Sequence, residues 1–138
     1  MSEQREVEID TAAVVRVAGF RAALRAFLRT SERTARASGL TPQRYLLLLM
    51  VKGAPDGSEQ TTVTELASRL QLGQSTVTEL VKRAEHAGLI ERERSDVDGR
   101  VAHVRLTAEG ERRLARSFTA LAEERRALQR IFAELDRG

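Results

Sequence analysis

Between Thr62 and Leu106 the hydrophobic period of the chain changes twice, and that change limits the possible folds more than any single motif. Thr62-Val63-Thr64-Glu65 has the form of a capping box, followed by Leu66, Ala67 and Leu70 on one side of a short helix. Leu72-Gly73-Gln74 breaks that helix, and Gly73 is the residue expected to permit the sharp turn. A second helix starts near Ser75 and runs to Gly88. Its Val77, Leu80, Val81 and Ala84 fall within about 100° of arc at ~100° per residue, one apolar face toward a core. From Leu89 the pattern becomes that of strands. Residues 89–94 and 100–106 flank Ser95-Asp96-Val97-Asp98-Gly99, a hairpin-turn composition.

Long helical patterns flank this middle. From Asp10, a candidate N-cap, Val14, Val17, Phe20, Leu24, Phe27, Leu28, Ser31 and Ala35 recur at three and four residues until Ser38-Gly39. Thr41-Pro42 opens the next helix, with Thr as N-cap and Pro in the first turn. Residues 46–51 are apolar without interruption, the pattern of a segment buried nearly all round. After Thr107 one last helix is expected, with Leu114, Leu121, Leu128 and Leu135 spaced by seven and Phe118 and Phe132 between them. Arg125 takes the remaining intermediate place, so the seam is not a clean coiled coil.

Composition agrees with a helical protein. Of the 138 residues, 41% are apolar but only 4% aromatic, too few for a sheet-dominated core. The longest apolar run is far shorter than the ~20 residues of a membrane helix. The polar start carries no secretory signal pattern, so cytoplasmic localisation is expected, with no membrane partner. Without cysteine, disulfides, thiolate zinc sites and thiol redox sensing are excluded. Charge is nearly balanced: residues 1–38 carry +2, residues 39–107 are neutral and residues 108–138 carry +1. Any polyanion contact must therefore come from placement on one face rather than from a domain-wide field.

Helix, three-residue turn, helix and charged hairpin make a winged helix-turn-helix, in a mainly α chain with a small β wing. The second short helix presents Ser75, Glu79, Lys82 and His86 opposite its apolar face, with Thr78 and Arg83 on the shoulders. Hydroxyls and cations at that spacing suit a major groove, where Lys82 and Arg83 can reach phosphate or guanine and Glu79 can accept from cytosine. A solvated amphipathic helix carries the same residues; the order of the parts favours DNA. Arg100, beside the hairpin turn, is the candidate for minor-groove or phosphate contact. Arg92, Arg94 and Arg105 alternate with Glu91 and Glu93, so cross-strand ion pairs are the competing use for them.

Five blocks then resemble the multiple antibiotic resistance regulator (MarR) family. They are Leu40-Thr-Pro-Gln-Arg-Tyr-Leu-Leu-Leu, Thr64-Glu-Leu-Ala-Ser-Arg-Leu, Gln74-Ser-Thr-Val-Thr-Glu-Leu-Val-Lys-Arg, Gly88-Leu-Ile-Glu-Arg-Glu, and Asp98-Gly-Arg100 with Val104-Arg-Leu-Thr-Ala-Glu-Gly110. The resemblance covers residues 10–136: a winged DNA-binding core at 41–107 and dimerisation helices at 10–38 and 108–136. It implies a homodimeric transcription regulator, a pseudo-palindromic double-stranded operator, and often release by a small aromatic or lipophilic effector. By position it implies DNA contacts at Gln74, Ser75, Thr76, Thr78, Glu79, Lys82, Arg83 and Arg100. The family pattern has Arg where this chain has Gly99.

Dimerisation also has a physical argument. Val17, Phe20, Leu24, Leu114, Phe118, Leu121, Leu128 and Phe132 form stripes that a lone chain would leave partly exposed. Two rival functions stay open: a winged-helix protein-interaction module that has lost DNA binding, and a non-specific architectural DNA-binding protein. Enzymatic chemistry is not expected. His86 and His103 have no nucleophile at motif spacing, Asp96 and Asp98 follow no calcium-loop pattern, and the glycines form no phosphate-cradling loop, so no metal or cofactor is expected.

Overall fold

The computed structural model describes residues 6–94 and 101–136. In chain order the elements are α1 (Thr11–Ala37), α2 (Pro42–Lys52), β1 (Gln60–Thr61), α3 (Val63–Leu70), α4 (Gln74–His86), β2 (Ile90–Arg94), β3 (Ala102–Leu106), α5 (Ala108–Ala120) and α6 (Ala122–Asp136). The chain packs as two compact units, one of residues 32–120 and one of residues 1–31 with 121–138. The first is a winged helix-turn-helix, as the period changes predict.

Local chemistry sets the helix ends of the winged unit. At the end of α1 the Leu40 N–H donates to the Ala35 carbonyl and the Gly39 N–H to Arg36, a Schellman closure with Gly39 left-handed. Thr41 caps α2 by accepting from the Arg44 N–H at 3.1 Å, with Pro42 just inside. Thr62 caps α3 by accepting from the Glu65 N–H at 3.2 Å. The return arm of that capping box goes elsewhere, because the Glu65 carboxylate accepts from the Thr61 hydroxyl at 2.7 Å.

The turn between α3 and α4 departs from the sequence expectation. Gly73 is extended, at φ −68° and ψ 151°, a conformation open to any residue. The left-handed residue is Gln71, at φ 57° and ψ 44°. It closes α3 by the same Schellman arrangement, with Leu72 N–H on the Ala67 carbonyl and Gln71 N–H on Ser68. The Gln71 side chain adds a bond to that Ser68 carbonyl, a local gain that helps a non-glycine residue hold the strained region.

The core of this unit joins Leu47, Leu48 and Val51 of α2, Leu66 of α3, Val77, Val81 and Ala84 of α4, and Ile90 and Val104 of the sheet, all essentially fully buried. Leu80 is only partly covered. The apolar run of α2 is not enclosed all round. Leu46 is 41% exposed, because an eleven-residue helix packed on one side of its axis turns every third or fourth residue outward whatever its type.

The sheet is antiparallel in the order β1-β3-β2. The hairpin pairs Ile90 with Leu106 and Arg94 with Ala102, while Gln60 and Thr61 add a short edge strand opposite Arg105 and Val104. β1 was not expected from the sequence, since two residues carry no period. The hairpin turn, with Gly99 and Arg100, lies outside the described residues.

A third difference concerns the C-terminal helix. One continuous helix was expected after Thr107, but α5 ends at Ala120 and α6 begins at Ala122, with Leu121 between them. The Leu121 carbonyl then accepts from the Arg125 N–H to open α6. Neither proline nor glycine stands there; the break falls where the chain leaves one compact unit for the other, so packing ends α5 rather than local propensity. Within the second unit α1 and α6 bring Phe20 and Phe132 edge to face, ring centres 5.7 Å apart.

One junction fixes where the wing and α5 begin. The Leu89 carbonyl accepts from the Thr107 N–H at 3.0 Å, and the Thr107 hydroxyl donates to the Gly88 carbonyl at 2.6 Å. That hydroxyl also caps α5 by accepting from the Gly110 N–H at 3.1 Å. A Cβ on Gly110 would stand 2.1 Å from the Leu89 carbonyl oxygen, so α5 can sit here only with glycine. Gly110→Ala should therefore lower stability by about 1–3 kcal/mol, read as a lower urea midpoint. Gln71→Gly should raise it by about 0.5–1 kcal/mol, by removing the left-handed strain. An unchanged midpoint in either variant contradicts the backbone geometry described.

Candidate nucleic-acid interface

The face of α4 opposite the core is built by its buried face. With Val77, Val81 and Ala84 turned inward, Gln74, Ser75, Thr76, Glu79, Lys82 and Arg83 are exposed and Thr78 is half-buried. Two side chains are already oriented. Gln74 Nε2 donates to the Thr64 hydroxyl at 3.0 Å, tying the start of α4 to α3. The Thr78 hydroxyl donates back to the Gln74 carbonyl at 2.8 Å, which leaves its lone pairs available outward. Gly73, the residue before α4, supplies no side-chain acceptor to the first turn.

Ion pairs sort the basic residues of the winged unit into used and available. Arg92 forms a two-pronged pair with Glu85, Nε to Oε2 at 3.2 Å and Nη2 to Oε1 at 3.0 Å, which links β2 to the last turns of α4. The Arg92 guanidinium holds the Glu85 carboxyl below its ordinary range, against the opposing effect of partial burial, and Glu85 in turn raises Arg92. Arg105 bridges Glu91 at 2.8 Å and Glu93 at 3.3 Å along the hairpin. Arg69 donates to the Met50 and Gly53 carbonyls at the end of α2. Lys52 binds Glu111 at 2.9 Å and Glu59 at 3.0 Å, and these bonds, Glu111 first, raise its pKa.

Lys82 and Arg83 make no ion pair with any described residue. They stand on the exposed face beside the hydroxyls of Ser75, Thr76 and Thr78, with Glu79 as the one carboxylate among them. An anion with accessible oxygens can be met there by two cations and several hydroxyls without breaking a structural bond. Of the sequence candidates, the structure brings the seven α4 residues onto or beside one surface, while Arg100 lies outside the described residues. The expectation of cross-strand pairing holds for Arg105. Arg92 instead reaches α4, a partner seven residues back in the chain that no strand pattern signals. Among the described residues no group of three or more His, Asp or Glu is placed to hold a metal ion.

The proposed dimerisation residues are distributed unevenly. Leu114 and Leu121 are buried within the chain itself, and Phe20, Leu24 and Leu128 are half-buried. Val17, Phe118 and Phe132 are 52%, 45% and 62% exposed. A separate apolar pocket of about 370 Å³ lies between α2 and α5, lined by Leu49, Leu114, Ala115 and Phe118, with Lys52 and Glu111 also on its wall. Sequence periodicity gave no sign of it, because a void depends on how two helices meet and not on either stripe alone.

Residues 38–101 match a model of the MarR family. No curated protein matches the chain significantly. Among solved structures, YusO from Bacillus subtilis is 22% identical with a TM-score of 0.66, covering 96% of this chain and 99% of that one. Wild-type MarR from E. coli in its apo form is 17% identical with a TM-score of 0.67, covering 91% and 86%. Sco3205, a MarR family transcriptional regulator from Streptomyces coelicolor solved in complex with DNA, is 23% identical with a TM-score of 0.67, covering 97% and 89%. The family match spans α2 to the hairpin and the likeness of fold extends over nearly the whole length: the chain belongs to the MarR family.

Proposed function

We propose that the chain is a homodimeric, sequence-specific double-stranded DNA-binding transcription regulator that acts as a repressor in the cytoplasm. The observation that carries this reading is the exposed α4 face, where Lys82 and Arg83 stand without acidic partners while Arg92, Arg105 and Arg69 are engaged in structural bonds. α4 enters the major groove. Lys82 and Arg83 meet phosphate or guanine, Ser75, Thr76 and Thr78 meet phosphate oxygens or base edges, Gln74 sits at the entry, and Glu79 accepts from a cytosine amino group. Arg100 contacts the backbone or the minor groove from the wing. The structure of Sco3205 with DNA supports the choice of ligand.

The exposed Val17, Phe118 and Phe132 support assembly of two copies, since large apolar side chains left in water mark an interface. A two-fold dimer reads an inverted repeat whose half-sites lie about one helical turn, ~34 Å, apart. The pocket beside α5 is the place where a small lipophilic or aromatic effector releases the DNA. No helix among the described residues is long and apolar enough to cross a membrane.

Salt dependence tests the reading. Duplex affinity should fall steeply with salt, by a slope near −0.9 per phosphate neutralised. The pair of substitutions Lys82→Ala and Arg83→Ala should weaken binding about tenfold or more and flatten that slope, with the melting temperature nearly unchanged. A flat salt response in the wild-type protein, or equal affinity in the double variant, contradicts the assignment and favours a protein-interaction module. Competition by random DNA within tenfold of the best site favours an architectural role, because specific readout gives ~10³ or more.

A further inference from the structure

Along the seam of α1 and α6 two pockets of about 230 and 290 Å³ adjoin, sharing Ile131. The side of α1 that lines both is one face: Arg16, Phe20, Ala23, Phe27 and Thr30 fall within about 100° of arc at ~100° per residue. Ala23, Ala26 and Ala127 keep part of the seam shallow, so a side chain from another helix can enter. The two ends of this face differ in charge. Glu124 lines one pocket, and its Oε2 is buried without a hydrogen-bond partner, an arrangement that costs free energy unless a donor reaches it. Arg16 lines the other, half-buried, and forms no ion pair with any described residue, Glu134 of the same pocket included.

Arg16 cannot satisfy Glu124 in its own chain. Glu124 lies beside the stretch of α1 from Ala23 to Thr30, so at ~1.5 Å per residue roughly 15–20 Å of helix separates it from Arg16. The other arginines of this stretch of α1, Arg21, Arg25 and Arg29, point to the opposite side of the helix, centred roughly 200° away at ~100° per residue. A second copy laid antiparallel on this face brings its own Arg16 to this end. The two-fold axis then passes near Ala23 and maps the basic end of each copy onto the acidic end of the other, as a self-complementary interface requires.

We propose that a second copy of this chain docks on the α1–α6 seam, and that Glu124 of each copy receives the guanidinium of Arg16 of the other in two reciprocal ion pairs. The proposal rests on the homodimer reading above and adds to it the surface, the direction and the pair that sets register. A guanidinium suits the position because its carbon stem covers the alanines while its head donates to the orphaned oxygen.

The test uses the full-length protein with Arg16→Glu and Glu124→Arg, alone, combined in one chain, and mixed as separate chains, read by sedimentation equilibrium. Each single variant places like charges at both contacts and should weaken self-association at least about tenfold, or ~1.4 kcal/mol. The double variant should return to within threefold of wild type. Mixing the two single variants should also restore association, because the mixed dimer alone carries an opposite-charge pair at each contact. Melting temperatures of the monomeric forms separate misfolding from lost pairing, and Glu124→Gln, which keeps shape, should weaken association without lowering them. A wild-type dimer that the single variants leave unchanged overturns this pairing and spares the homodimer. Rescue in the double variant without rescue on mixing also overturns it, since the pair then lies within one chain. A monomeric wild-type protein at micromolar concentration overturns the homodimer reading itself.

Discussion

The close approach of α5 to the Leu89 carbonyl is the constraint on which the winged unit depends. Three groups converge on the two peptide units of Gly88 and Leu89: the Thr107 N–H, the Thr107 hydroxyl, and the first turn of α5 at Gly110. Because those peptide units end α4 and lead into β2, the same contacts fix the exit of the presumed recognition helix, the start of the hairpin and the entry of α5. A side chain at position 110 would push these apart. The buried Ser117 hydroxyl, donating to Ser38 at 2.8 Å, and the Ser38 hydroxyl, donating to the Thr34 carbonyl at 3.1 Å, then hold the far end of α5 to the end of α1 without leaving a polar group unpaired.

Charge follows from the same packing. A segment with no net charge can still present a cationic surface if its carboxylates are consumed in pairs elsewhere. Glu85 holds Arg92, and Glu91 and Glu93 hold Arg105, so the acids of this region neutralise arginines that shape the hairpin. Lys82 and Arg83 are left facing solvent. The Glu85–Arg92 fork is half-exposed and adds little to stability, but its two-pronged geometry fixes β2 against α4. Placement, not total charge, gives the α4 face its character.

Much of the winged unit was legible because its signals are local. Thr41-Pro42 and Thr62 act as caps within one turn, and the apolar positions of α4 repeat at helical spacing, so residues alone predict them. What escaped depends on neighbours distant in sequence. β1 is two residues whose strand character comes only from pairing with β3. The left-handed residue was assigned to Gly73 on propensity, whereas the chain closes α3 two residues earlier at Gln71. The break at Leu121 leaves the spacing of apolar positions almost intact, so the heptad pattern ran across it unseen. The exposure of Leu46 and the burial of Leu114 likewise reflect which side of a helix meets a neighbour. At the candidate site, all seven α4 residues were identified from the sequence, but the partner of Arg92 and the orphaned oxygen of Glu124 were visible only in three dimensions.

The central claim is that two copies of the chain present their α4 faces to successive turns of duplex DNA. Selection of bound duplexes from a random pool by the purified wild-type protein tests it most directly. The account predicts enrichment of an inverted repeat with half-site centres about one helical turn apart, ~10 base pairs. Enrichment of no sequence, or of a single unpaired half-site, would contradict it.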